Sequence, residues 1–216
     1  MSGKRRARGL LADDHSLVAE ALRSLLEPEF ELVDIVADGR ALVEAVEAKR
    51  PDVVVADISM PELNGLDALL ELRRAGSEVP VVFLTMHRDI TFARRALDAG
   101  ASGFVLKHSA SIELIAAVHA ALEGQIYLTP AIAGEVLQSM REGGETTADP
   151  VGALTLRQRE VLQLLAEGHS AKEIGARLSI SARTVEFHKY QLMEKLDLRT
   201  SAGLVHFAIK HGLTEL

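Results

Sequence analysis

Val53-Val54-Val55-Ala56 is apolar at every position, is closed by Asp57 and is followed by Ile58-Ser59-Met60-Pro61. A short run that is apolar at both alternate positions reads as a strand covered on both faces, and such strands belong to parallel sheets flanked by helices. Two turn signals, Met60-Pro61 and Asn64-Gly65, then precede an amphipathic helical pattern. In open α/β sheets ligands gather beyond the carboxyl ends of strands, which is where Asp57 falls.

The pattern repeats. Candidate strands cover 9–12, 32–36, 53–56, 81–84 and 103–106, with helical patterns near 15–27, 40–49, 65–74, 89–99 and 111–122. Five βα units joined by short connections imply an α/β domain over 1–123, a doubly wound, flavodoxin-like parallel sheet with helices on both faces. Residues 124–150 change character. A helix fits 129–141, and Glu142-Gly143-Gly144-Glu145-Thr146-Thr147-Ala148-Asp149-Pro150 has the composition of a flexible linker. Residues 151–216 read as helix only. Thr155-Leu156-Arg157-Gln158 and Ser170-Ala171-Lys172-Glu173 match the capping box, and Ser181 and Thr200 are N-cap residues for two more helices, giving an all-α four-helix bundle.

Composition removes several functions. The chain has no cysteine, which excludes disulfides, thiol nucleophiles and cysteine-based zinc sites. No apolar stretch approaches the length of a membrane span, and the basic start meets acidic residues too soon for a signal peptide, so a cytoplasmic protein is expected. Net charge is −7, but unevenly spread: residues 1–123 carry 14 Lys/Arg against 20 Asp/Glu, whereas 151–216 carry 9 against 7. That asymmetry suits a chain with two jobs.

The strand ends carry the chemistry. Asp13 and Asp14 close the first strand and Asp57 the third, so three carboxylates converge and repel unless a hard cation joins them; Mg²⁺, an oxygen-liganded ion, suits that set. Thr85 and Lys107 close the fourth and fifth strands with a hydroxyl and an ammonium. One nucleophilic carboxylate, one metal, one hydroxyl and one ammonium fit transfer of a phosphoryl group onto Asp57. The plainer alternative is that these carboxylates cap helices and Lys107 is a surface lysine.

These residues, with Asp57-Ile58-Ser59-Met60-Pro61 and Asn64-Gly65, resemble the receiver domain of two-component response regulators. The resemblance implies that Asp57 accepts phosphate from a sensor histidine kinase. It implies that Asp13, Asp14, Asp57 and the Ser59 carbonyl hold Mg²⁺, and that Lys107 and Thr85 close on the phosphate. It makes Phe104, three residues before the lysine, either the family's switch aromatic or an ordinary core phenylalanine. Met86 stands where many receivers carry a small residue, which would narrow access to the site. Ser59 and His87 occupy positions that tune phosphate lifetime, and His15 and His108 are assigned to the pocket rim without a role.

The second half resembles a LuxR-type helix-turn-helix domain over 153–213, through Leu154-Thr155-Leu156-Arg157-Gln158-Arg159-Glu160-Val161-Leu162, Gly168-His169-Ser170-Ala171-Lys172-Glu173-Ile174-Gly175 and Leu178-Ser179-Ile180-Ser181-Ala182-Arg183-Thr184-Val185-Glu186-Phe187-His188. Leu156 and Gln158 replace the family's usual Pro and Glu. With the receiver, this implies the NarL/FixJ family. A second helix packed steeply on the first presents its N-terminal half to the major groove of double-stranded DNA. On it Arg183, Thr184, Glu186, Phe187, His188, Lys189, Tyr190 and Lys195 are the candidate contacts. Arg183, Lys189 and Lys195 are expected on phosphates, Glu186 on cytosine N4 and Phe187 on a thymine methyl. His188 is open between packing, phosphate contact and base reading. The last helix, 200–210, either forms a homodimer contact or covers the bundle's own core.

The expected function is a phosphorylation-switched transcriptional regulator rather than an enzyme, in which the unphosphorylated receiver covers the recognition helix and the phosphorylated one releases it for dimerisation. An Mg²⁺-dependent hydrolase built on Asp57 is a rival, disfavoured by Ser59 where a second catalytic acid would stand. An adaptor whose helical bundle binds protein is another.

Overall fold

The computed structural model describes residues 5–86, 90–141 and 150–214, apart from the Met140 side chain. Six parallel strands form one sheet: β1 (Arg8–Ala12), β2 (Glu31–Val36), β3 (Val53–Asp57), β4 (Val81–Thr85), β5 (Gly103–Leu106) and β6 (Tyr127–Leu128), in the order β2-β1-β3-β4-β5-β6. The central strands bury both faces because alternate residues feed different cores. Val54, Ala56, Phe83, Phe104 and Leu106 enter one. Val53, Val55, Val82, Leu84 and Val105 enter the other. An unbroken apolar run is therefore required in each central strand.

Helices α2 (Gly39–Lys49), α3 (Gly65–Arg74) and α4 (Ile90–Asp98) cover the first face through Leu42, Leu69, Leu72 and Ala93. Helices α1 (Ser16–Leu26) and α5 (Ala110–Leu122) cover the second through Leu22, Leu26, Leu114 and Val118. The doubly wound α/β architecture expected from the sequence is present.

The sheet has one strand more than expected. Residues 124–128, read as part of a linker, supply β6, which pairs with β5, and α6 (Pro130–Arg141) buries Ile132 and Val136 in the core that holds Phe104. Thr129 joins them: its N–H donates to the Phe104 carbonyl at 3.0 Å, and its Oγ1 accepts from the Leu106 N–H at 3.1 Å. The remainder of the expected linker, 142–149, lies outside the described residues.

The C-terminal bundle holds α7 (Leu156–Ala166), α8 (Ala171–Arg177), α9 (Ala182–Lys195) and α10 (Ser201–Lys210) around Val161, Leu162, Ile174, Val185, Leu192 and Leu204. Both capping boxes form: Thr155 with Gln158, and Ser170 with Glu173. Ser181 and Thr200 cap α9 and α10. Each such cap contributes about 1 kcal/mol. The α8–α9 turn is tight. A Cβ on Gly175 would lie 2.7 Å from the Ile180 carbonyl oxygen, so a larger residue there would push the two helices apart.

Candidate functional site: an acidic cleft and a helix-turn-helix face

Asp57 stands at the carboxyl end of β3 and is only 4% exposed. Its Oδ1 accepts the Ile58 N–H at 2.7 Å and its Oδ2 accepts from Lys107 Nζ at 2.5 Å. Lys107, the first residue of a 3₁₀ turn after β5, also lies 2.9 Å from Asp13 Oδ2. Asp13 Oδ1 accepts the His15 N–H at 2.9 Å. The start of α3 presses close on this loop: a Cβ on Gly65 would meet the Asp57 carbonyl oxygen at 2.2 Å, so only glycine fits. Asn64 caps α3 by accepting the Asp67 N–H at 3.0 Å.

Burial pushes the Asp57 carboxyl up to about 6; Lys107 opposes that rise and Asp13 reinforces it. Burial lowers the Lys107 ammonium, but its contacts with Asp57 and Asp13 prevail and raise it, so it stays charged. Asp13, Asp14, His15 and Asp57 each offer a ligand atom, all within 4.8 Å of one another. Asp13 Oδ2 is buried and, among the described residues, faces Lys107 Nζ at 2.9 Å without an aligned hydrogen bond. A buried carboxylate oxygen left in that state fits a hard cation, and oxygen donors at this density suit Mg²⁺.

Thr85 ends β4 and is buried, and Ser59, two residues after Asp57, is buried as well. Phe104 is fully buried in the core shared with Ile132 and Val136. Met86 is 66% exposed and points to solvent, so it does not close the cleft from within. His15, expected at the rim without a role, has its Nδ1 2.9 Å from Asp14 Oδ1, inside the cluster. His87 lies outside the described residues.

On α9, Val185 and Leu192 face the bundle core, while Phe187 (58%) and Tyr190 (65%) are the exposed large side chains. Arg183 is exposed in the first turn. Thr184 is committed to the cap, with its Oγ1 2.8 Å from Ser181 Oγ. Lys189 Nζ rests 3.5 Å from Glu186 Oε2. His188 Nδ1 is buried without a hydrogen-bond partner among the described residues, and its ring lies 5.9 Å from that of Phe187. Lys195, at the far end of the helix, donates to the Ala153 carbonyl. In α10, Leu204 and Ala208 cover the bundle's own core, and Val205 and Ile209 stay half-buried.

The expectation that the receiver covers α9 needs correction. The receiver instead grips α7, along a polar stripe at helical spacing. Arg159 Nε lies 2.6 Å from Asp67 Oδ1, both side chains buried; Gln163 bonds to Met60 and Asn64; Glu167 accepts from the Glu62 N–H at 3.2 Å. Arg40 pairs with Glu160, and Arg177 with Glu62. Burial raises the Glu167 carboxyl, opposed by its bonds from Gln163 and the Glu62 N–H. Residues 159, 163 and 167 recur every fourth position, which sequence alone cannot distinguish from a solvated helix face.

Residues 10–119 match the family described as the response regulator receiver domain, and 152–208 match bacterial regulatory proteins of the luxR family. The oxygen regulatory protein NreC of Staphylococcus carnosus is 33% identical over 213 residues, covering 95% of this chain and 98% of that protein. A structure of the RcsB response regulator of Salmonella typhimurium matches with a TM-score of 0.65 at 25% identity, covering 96% of this chain and 99% of RcsB. A structure of an RcsB–DNA complex matches with a TM-score of 0.58 at 26% identity, covering 94% and 98%.

Proposed function

The chain belongs to the NarL/FixJ family of two-component response regulators, transcription regulators that join a receiver to a LuxR-type DNA-binding domain, and on that premise we propose that Asp57 is its phosphoacceptor. The supporting observation is the pairing of a buried Asp57 with Lys107, whose ammonium also faces a buried Asp13 oxygen. The phosphoryl donor is a phosphohistidine of a sensor kinase. One Asp57 oxygen forms the new P–O bond as the phosphorus–nitrogen bond breaks, and the imidazole leaves.

Asp13, Asp14, Asp57 and the Ser59 carbonyl would hold Mg²⁺, which when bound neutralises charge on the transferring group. Lys107 now shares its charge between Asp57 and Asp13 and needs only to turn within the cleft to meet a phosphoryl oxygen. Thr85 supplies a hydroxyl to another, and Phe104 repacks in the core behind it. The receiver in this scheme is 1–123 extended by β6 and α6, and the DNA-binding domain is 151–216.

RcsB is solved on DNA, and the same use is proposed here for α9. Arg183 and Lys189 would meet phosphates, and Lys195 would do so once it leaves the Ala153 carbonyl. Glu186, Phe187 and Tyr190 would face base edges or their methyl groups, with Thr184 and His188 shaping the start of the helix. Phosphorylation would bring two copies together on DNA. No helix among the described residues is long and apolar enough to cross a membrane, in keeping with a cytoplasmic regulator. Acetyl phosphate with Mg²⁺ should label the protein once per chain, and Asp57→Asn should abolish that label. Undiminished labelling of the variant would remove Asp57 as acceptor.

A further inference from the structure

The loop 58–64 leads from Asp57 into α3 and carries the Ser59 carbonyl. Its internal hydrogen bonds are few: Met60 N–H to the Ile58 carbonyl at 3.2 Å, Leu63 N–H to the Pro61 carbonyl at 2.7 Å, and Gly65 N–H back to the Ile58 carbonyl at 2.8 Å. The DNA-binding domain supplies much of the rest. Gln163, 0% exposed, donates from Nε2 to the Met60 carbonyl at 2.8 Å. Its Oε1 accepts the Asn64 N–H at 2.9 Å and Asn64 Nδ2 at 3.2 Å. Between them Glu62 adopts a φ of 65°, a left-handed conformation unfavourable for a residue with a side chain. Its N–H is held by Glu167 and its carboxylate by Arg177.

Gln163 therefore holds the Met60 carbonyl, one peptide beyond that of Ser59. The Ser59 and Met60 carbonyls belong to adjoining peptides, so a bond that fixes the second restrains the first. Charge points the same way. A cavity of about 330 Å³ beside the cleft is lined by Asp14, Ser59, Met60 and Pro61 from the receiver, and by Ala166, Glu167 and Thr214 from the DNA-binding domain. The charged side chain on that far wall is a carboxylate, so an anion added at Asp57 meets like charge from the docked domain.

We propose that Gln163 is a positioning residue of the phosphoacceptor site: while docked it holds 58–64 in the arrangement that loads poorly, so docking of α7 and loading of Asp57 oppose one another. The inference rests on Asp57 as phosphoacceptor. Because coupling between two equilibria is reciprocal, freeing the loop from Gln163 must favour loading as much as loading favours release.

The test is calorimetric titration of the full-length protein with beryllium fluoride in the presence of Mg²⁺, comparing wild type, Gln163→Ala and Gln163→Met. The methionine variant keeps the length and bulk of the side chain but offers the loop neither donor nor acceptor, so it serves should the alanine variant fold poorly. Both variants should bind beryllofluoride about fivefold or more tightly than wild type. A gain in affinity is not a result that damage to the fold produces. Unchanged or weaker binding in the variants overturns the role of Gln163 and leaves Asp57 as acceptor. Wild-type protein that binds no beryllofluoride, under conditions where it is folded, overturns the phosphoacceptor assignment and this inference together.

Discussion

At Asp57, burial outweighs the attraction of Lys107, and the carboxyl titrates near 6 instead of in the ordinary range around 4. The folded state therefore holds a proton there more tightly than the unfolded chain does. Its contribution is most favourable below pH ~4 and is lost as pH rises through about 6, amounting to roughly 3 kcal/mol at neutral pH without metal. Asp57→Asn removes that cost while leaving Lys107 beside Asp13. In metal-free buffer the stability of the variant relative to wild type should rise between pH 5 and pH 8, read by urea denaturation at each pH. A difference constant across that range would mean that Asp57 is not the group the environment perturbs. Sequence alone placed Asp13, Asp14, Asp57 and Lys107 together because each closes a strand of one sheet. It did not find Lys107 shared between Asp57 and Asp13, or His15 in the cluster, since both depend on side-chain rotamers and not on spacing.

At the scale of elements, what was legible follows from which interactions are local. Central strands declare themselves because burial on both faces forbids polar residues, and the helices of the bundle announce their starts through Thr155, Ser170, Ser181 and Thr200, all of which cap. The sixth strand was not legible: Tyr127–Leu128 is too short to carry a pattern, and only its pairing with β5 and the two hydrogen bonds of Thr129 define it. The stripe Arg159, Gln163, Glu167 was missed for the opposite reason. It looks like an ordinary wet helix face, and its partners lie about a hundred residues earlier in the chain. The exposed face of α9 carries a prediction of its own. Lys189→Ala should weaken binding to all DNA duplexes alike and lower the salt slope by about 1, as for the loss of one phosphate contact. Loss confined to particular sequences would make Lys189 a base reader.

Across the whole molecule, the two halves meet through a buried ion pair, a buried amide and two further Arg–Glu pairs, while the outward face of α9 stays open. Separating Arg159 from Asp67 strands two charges in a dry interface, a cost of several kcal/mol unless both regain water on opening. The receiver thus holds the bundle by α7 and leaves the outward face of α9 open. An anion at Asp57, of about two negative charges for a phosphoryl group, would act on that hold through the loop 58–64. Such a bias must reach about 5.5 kcal/mol to carry the equilibrium from 1:99 to 99:1, and a smaller one gives graded control. The direct measurement is DNA affinity of the full-length protein with and without beryllofluoride and Mg²⁺, on duplexes selected from a random library by the loaded protein. Tighter binding on loading, with Asp57→Asn unresponsive, is the predicted result; equal affinity in both states, with the cleft demonstrably occupied, would contradict the coupling.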